Sequence, residues 1–178
     1  MAERAQQSFN RRFWNEATGH LFDVVDGEHG DDPALRPNQL FAISLPHAVL
    51  DQRRWAPVLA SVERDLLTPV GLRSLSPRNP DFKPSYRGDL LARDAAYHQG
   101  TVWSWLIGPY IDTLLRVRPN DLDAARAALT GLIEQIGSTC IGEISEVFDA
   151  DPPYLAGGCI AQAWSVAELL RCIVRTQA

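Results

Sequence analysis

Three stretches of this chain share one layout: a long polar loop, then a glutamine within a few residues of the start of an apolar helix. The first covers residues 23–39 and enters Leu40-Phe41-Ala42-Ile43. The second covers 68–99 and enters Thr101-Val102-Trp103-Ser104-Trp105, and the third covers 139–162 and enters Ala163-Trp164-Ser165-Val166. Gln39, Gln99 and Gln162 lie roughly 60 residues apart, with one further helix in each interval. A pattern repeated at a fixed period is first a statement about architecture. It calls for stacked helical hairpins whose long loops collect at one end, and that end is where chemistry is expected.

Six helices follow from the hydrophobic spacing, over about 2–14, 37–49, 51–67, 101–117, 121–137 and 159–176. Pro37 suits a first helical turn, and Asp51 suits a cap, although Pro57 moves the true start of the third helix to Trp55 or later. Gly108-Pro109 predicts a kink in the fourth helix, and Asn120 is the natural cap of the fifth. Helices one, three and five have polar faces, whereas two, four and six are apolar on most sides. That alternation predicts an outer and an inner layer. The expected fold is all-α: three hairpins making about half of a closed α/α barrel, with long loops at one mouth. Short strands fit only near residues 21–25 and 142–148.

The 178 residues suit one domain, with 46% apolar and 22% charged content arguing against disorder. A net charge of −5, with Lys83 as the single lysine, excludes nucleic acid as the main partner. No apolar run approaches the ~18 residues of a membrane helix, so no membrane partner is expected. Residues 1–7 lack a signal-peptide core. Cys140, Cys159 and Cys172 are odd in number and show no C-x-x-C spacing, which reads as free thiols in a reducing cytoplasm. No cofactor is expected, since nucleotide-binding and nucleophile-elbow motifs are missing. Nor is a metal, because the acidic residues Asp23, Asp26, Glu28, Asp31 and Asp32 miss calcium-loop spacing and read as a solvated turn. The loops 68–100 and 139–158 are too long to be mere connections, and their aromatic and charged content predicts folded, functional loops.

The mouth gathers Arg36, Asn38, Gln39, Tyr86, Asp94, Tyr97, His98, Gln99, Trp103, Glu143, Glu146, Asp149, Gln162 and Trp164. Amides, carboxylates and arginine offer paired donors and acceptors for adjacent sugar hydroxyls, and indole or phenol faces suit the C–H side of a pyranose. The mixture predicts a carbohydrate site. Each residue also has a plainer reading. Trp103, Trp105 and Trp164 on apolar helices are core candidates, His98 is an ordinary hydrogen-bonding loop residue, and a single loop carboxylate is usually structural.

Four blocks carry a resemblance: residues 35–39 (LRPNQ), 68–75 (TPVGLRSL), 97–103 (YHQGTVW) and 158–165 (GCIAQAWS). In order and spacing, from about Phe13 to Leu170, they resemble the C-terminal part of the glycogen debranching enzyme family, the amylo-α-1,6-glucosidases. Related six-hairpin glycosidases share pieces such as 97–103. The resemblance implies an (α/α)6 toroid hydrolysing α-1,6-glucosidic branch points of glycogen-like glucans with inversion. It places Glu146 at the family's general base, with Glu143 as the local competitor. It also implies a glucose pocket drawing on Arg36, Asn38, Gln39, Asp94, Tyr97, His98, Gln99, Trp103, Gln162 and Trp164. Inversion needs a second carboxyl, the general acid, ~6.5–9.5 Å from the base. In the family that acid lies on an earlier, Trp- and Asp-rich stretch that has no counterpart here. Residues 1–178 are therefore expected to be the C-terminal portion of one catalytic domain, inactive alone, with the N-terminal half and a glucan or oligosaccharide as partners. The alternatives are a non-catalytic carbohydrate-binding or regulatory half-barrel and a helical interaction scaffold.

Overall fold

The computed structural model describes residues 1–177. Helix α1 (Ala2–Arg12) opens the chain, with Glu3 in its first turn and Arg11 and Arg12 in its last, the order its dipole favours. It buries no residue fully. Phe9 stacks on Phe13, and both pack on a small core of Leu21, Ala42, Ile43, Leu50 and Val58. Two hairpins follow: β1 (Trp14–Asn15) with β2 (His20–Leu21), and β3 (Val24–Gly27) with β4 (Gly30–Asp32). A 3-10 turn over Pro37–Leu40 leads into the single-turn helix α2 (Phe41–Ser44). The predicted helix 37–49 stops there because Leu45 precedes Pro46 and takes extended backbone angles.

The Asp51 carboxylate accepts from the Arg53 amide, and α3 runs over Trp55–Asp65, starting where Pro57 allows. Strands β5 (Leu67–Thr68) and β6 (Gly71–Arg73) come next, then α4 (Leu90–Tyr97), a helix inside a stretch read as loop. After β7 (Val102–Trp103) and a 3-10 turn, α5 covers Ile107–Val117. The fourth predicted helix therefore starts later than expected. Pro109 falls in the first turn, where its missing N–H costs nothing, so the kink expected at Gly108-Pro109 is instead a helix start. Helix α6 (Leu122–Gln135) is capped by Asp121, whose carboxylate accepts from the Ala124 amide, and not by Asn120. Strands β8 (Val147–Phe148) and β9 (Ala156–Gly157) precede α7 (Ala163–Gln177).

The all-α expectation is corrected here. Strands β5 to β9 form a five-stranded antiparallel meander in chain order, pairing Leu72 with Trp103, Val102 with Phe148 and Val147 with Gly157. Leu72, Val102, Val147 and Phe148 drop from it into the main core with Ile107, Ile111, Leu114, Leu129, Leu132 and Leu169. The sheet is thus sealed onto the helices. Helix α5 is central and packs against α2, α3, α6 and α7.

Helix α7 is apolar on two opposite sides. Leu169 and Cys172 are buried, while Ala163, Ala167, Leu170 and Val174 share a bare stripe at helical spacing. Arg171 and Arg175 between these sides pair with Asp112 of α5. No helix among the described residues is long and apolar enough to cross a membrane.

Candidate functional site

Arg36 is the hub of the site. Its Nε pairs with Asp23 at 3.1 Å, Nη1 donates to the carbonyls of Ser74 (3.1 Å) and His98 (2.5 Å), and Nη2 donates to Gln99 Oε1 (2.7 Å). One side chain thereby ties the entrance of β3, the end of β6 and the end of α4 together. The residues it organises wall a cleft of about 690 Å³. Asp23, Asn38, Asp94, His98 and Gln99 form the polar side, and Trp103, Trp105 and Trp164 the aromatic side. Trp164 is 45% exposed and stacks on Trp105 at 5.4 Å, while His98 lies parallel to Trp103 at 5.4 Å.

Of the residues expected at the mouth, Arg36, Asn38, Asp94, His98, Gln99, Trp103 and Trp164 line this cleft. Gln39 does not. It is 8% exposed, donates to the Arg36 carbonyl and accepts from the Leu21 amide, so it braces β2 and faces an adjoining cavity of about 310 Å³ that shares Asp23, Arg36 and Asn38 with the cleft. The three glutamines are therefore not equivalent. Gln39 sits within a 3-10 turn whose side chain points inward, whereas Gln99 and Gln162 precede their helices.

Glu146 and Gln162 stand one side chain behind the cleft wall. The Glu146 carboxylate accepts from Tyr97 Oη (2.9 Å), the Cys159 backbone N–H (3.0 Å) and Gln162 Nε2 (3.3 Å). An ionised carboxylate only accepts, so three converging donors match it. The Glu146 amide also donates to the Cys159 carbonyl, and Gln162 N–H to the Ile144 carbonyl, folding the loop after β9 around the acid. Tyr97 links the two groups, its ring edge-on to Trp103 at 4.7 Å. Burial, then the bond to Glu146, pushes the Tyr97 phenol up to about 12.

Other acids serve the framework. Asp149 is buried and accepts from the Tyr86 amide at 2.6 Å, with Arg87 on its second oxygen. Among the described residues Glu143 has no side-chain hydrogen bond, and no group of acids, histidines and cysteines is placed to hold a metal ion. Asp26 and Asp31 sit in the expected exposed turn, paired with Arg12. Asp23 departs from that reading: its side chain is 20% exposed and faces the cleft. Burial raises its carboxyl above the usual range, partly offset by Arg36. The signal for it was its setting, one acid inside the apolar run Leu21-Phe22-Asp23-Val24-Val25.

A family model described as amylo-alpha-1,6-glucosidase matches residues 1–171. The chain belongs to this family. A curated relative of this amylo-alpha-1,6-glucosidase-family chain is the glycogen debranching enzyme of Saccharomyces cerevisiae, 24% identical over 166 residues. That match takes in 81% of this chain but 11% of the yeast enzyme. Among solved structures, the neutral trehalase of Saccharomyces cerevisiae superposes with a TM-score of 0.67 at 15% identity, over 97% of this chain and 29% of its own. The GH63 mannosylglycerate hydrolase of Thermus thermophilus gives 0.64 at 17% identity, over 97% and 37%. The amylo-alpha-1,6-glucosidase-family chain thus has the fold of a segment of these larger enzymes.

Proposed function

We propose that this chain is the general-base side of an inverting α-1,6-glucosidase acting on branch points of glycogen-like glucans, in the cytoplasm. The observation that carries the reading is Glu146. The resemblance gives it the base role, three donors fix its carboxylate, and it stands behind the wall of a cleft of amides, an arginine and three tryptophans. In an inverting mechanism the base stays ionised and holds one water against the anomeric carbon, while an acid ~6.5–9.5 Å away protonates the leaving oxygen. We assign the acid to the N-terminal half of the same domain, which closes the (α/α)6 toroid. In this reading α2, α5 and α7 are inner helices, α3 and α6 outer ones, and the bare stripe of α7 is where the complementary half packs. The chain alone then binds glucose without hydrolysing.

The test restores the N-terminal half and replaces Glu146 by Gln. Hydrolysis of an α-1,6-glucosyl branch is expected to fall by roughly three orders of magnitude or more while glucose binding persists. Near-normal turnover removes Glu146 from the role, and a collapse on Glu143→Gln alone moves the role there. The second reading, a non-catalytic carbohydrate-binding or regulatory half-barrel, draws on a cleft already walled within this one chain. It prevails if glucose binds and no complementary half restores turnover.

A further inference from the structure

Arg36 has five N–H donors in a fixed plane. Ser74, His98 and Gln99 take three of them; Nε, ion-paired with Asp23 at 3.1 Å, and one Nη2 hydrogen lie outside those bonds. Asp23 gives one carboxylate oxygen to Arg36 Nε, and Asn38 stands against the same group. Its backbone amide is already committed to the Asp32 carbonyl, so the side chain is not needed to hold the hairpin. The cleft wall therefore presents a carboxylate with unused acceptor sites beside a guanidinium with an unused donor. Both are largely withdrawn from water and fixed by neighbours. An acceptor next to a donor is the complement of two adjacent hydroxyls, one donating and its neighbour accepting.

We infer that Asp23 is a sugar ligand: it accepts a hydrogen bond from one hydroxyl of a hexopyranose in the cleft, while Arg36 donates to the adjacent oxygen. The assignment rests on the cleft being a sugar site, as proposed above, and not on Glu146 being the base. It distinguishes Asp23 from Asp94, which lines the same cleft from an exposed helix without a partner set of this kind. A buried acceptor of this sort discriminates strongly, because a sugar lacking the matching hydroxyl leaves the carboxylate desolvated and unpaired.

The experiment uses the 178-residue chain itself, with tryptophan fluorescence reporting on Trp103, Trp105 and Trp164. Glucose and its monodeoxy derivatives are titrated into the unaltered chain, D23A and D23N. Expected is a loss of glucose affinity of about ten-fold or more in D23A. The loss should be smaller in D23N, whose amide oxygen can still accept from a sugar hydroxyl. One deoxyglucose should bind the unaltered chain and D23A alike, since its missing hydroxyl is the one Asp23 reads. If D23A weakens every deoxyglucose by the same factor as glucose, Asp23 only holds Arg36 and the inference is wrong. Unchanged glucose affinity in D23A, or no glucose response in the unaltered chain, also overturns it. If circular dichroism shows D23A misfolded, the same deoxy series on D23N decides. A functional Glu146→Gln enzyme sinks the base assignment and leaves this contact standing, so the two failures are separable.

Discussion

Tyr97 joins the aromatic wall to the acid behind it. Its hydroxyl bonds Glu146, its ring touches Trp103 and His98, and its carbonyl accepts from Trp103 Nε1. Tyr97→Phe keeps the packing and removes one donor to the carboxylate. In the restored enzyme, turnover should fall by about ten- to a hundred-fold, the scale of a hydrogen bond to a charged group, with the melting temperature little changed. The same residue sets an alkaline limit. Its phenol titrates at about 12 when folded, against an ordinary 10.0. The folded state therefore holds that proton more tightly. Its contribution is intact below the unfolded value and is lost as pH rises from there through the folded one. Denaturant midpoints measured over that range should fall in the parent chain and fall less steeply in Tyr97→Phe.

At the scale of elements, the meander depends on close backbone approach. Gly71 has φ +130, and a methyl there would lie 2.6 Å from the Trp103 carbonyl oxygen and 2.7 Å from Ser104 Cα. Gly71→Ala should cost about 3 kcal/mol, read as a lower urea midpoint at unchanged slope. Asp89 caps α4 through a 2.9 Å bond from the Ala92 amide. Asp89→Ala should weaken that helix by about 1 kcal/mol, seen as faster exchange of the Ala92 and Arg93 amides. The longer helices were legible because burial imposes a 3.6-residue spacing on Val58, Leu59 and Val62 or on Ala125, Leu129 and Leu132. Two-residue strands impose no spacing, so Leu67 and Val102–Trp103 passed as helix and Thr68 as loop. Helix α4 has its cap and its Leu90-Leu91-Ala92 start in the sequence, but the surrounding prolines masked both. Within the cleft, Arg36, Asn38 and Gln99 were legible as polar groups leading into apolar helices. Asp23 was read with the exposed acids that follow it, and its place inside the apolar run 21–25 was the signal that set it apart.

For the molecule as a whole, the two-sided α7 sets the next test. Leu170 and Val174 are 55% and 69% exposed, so L170D/V174D should leave the chain's own melting temperature nearly unchanged. In the proposed reading, association with the N-terminal half should weaken roughly 100-fold or more, measured by calorimetric titration, because two charges would be placed in an apolar contact. Equal affinity would move that contact elsewhere on the surface. The meander carries a different consequence. Strands β7 and β8 are each paired on both sides, and Val102, Val147 and Phe148 lie in the core. Amides at the mouth should then be among the slowest to exchange, opening only with the whole domain. In the proposed reading, a sugar reaching the cleft meets walls that already stand. Its capture becomes a matter of diffusion and fit, and no lid has to fold around it.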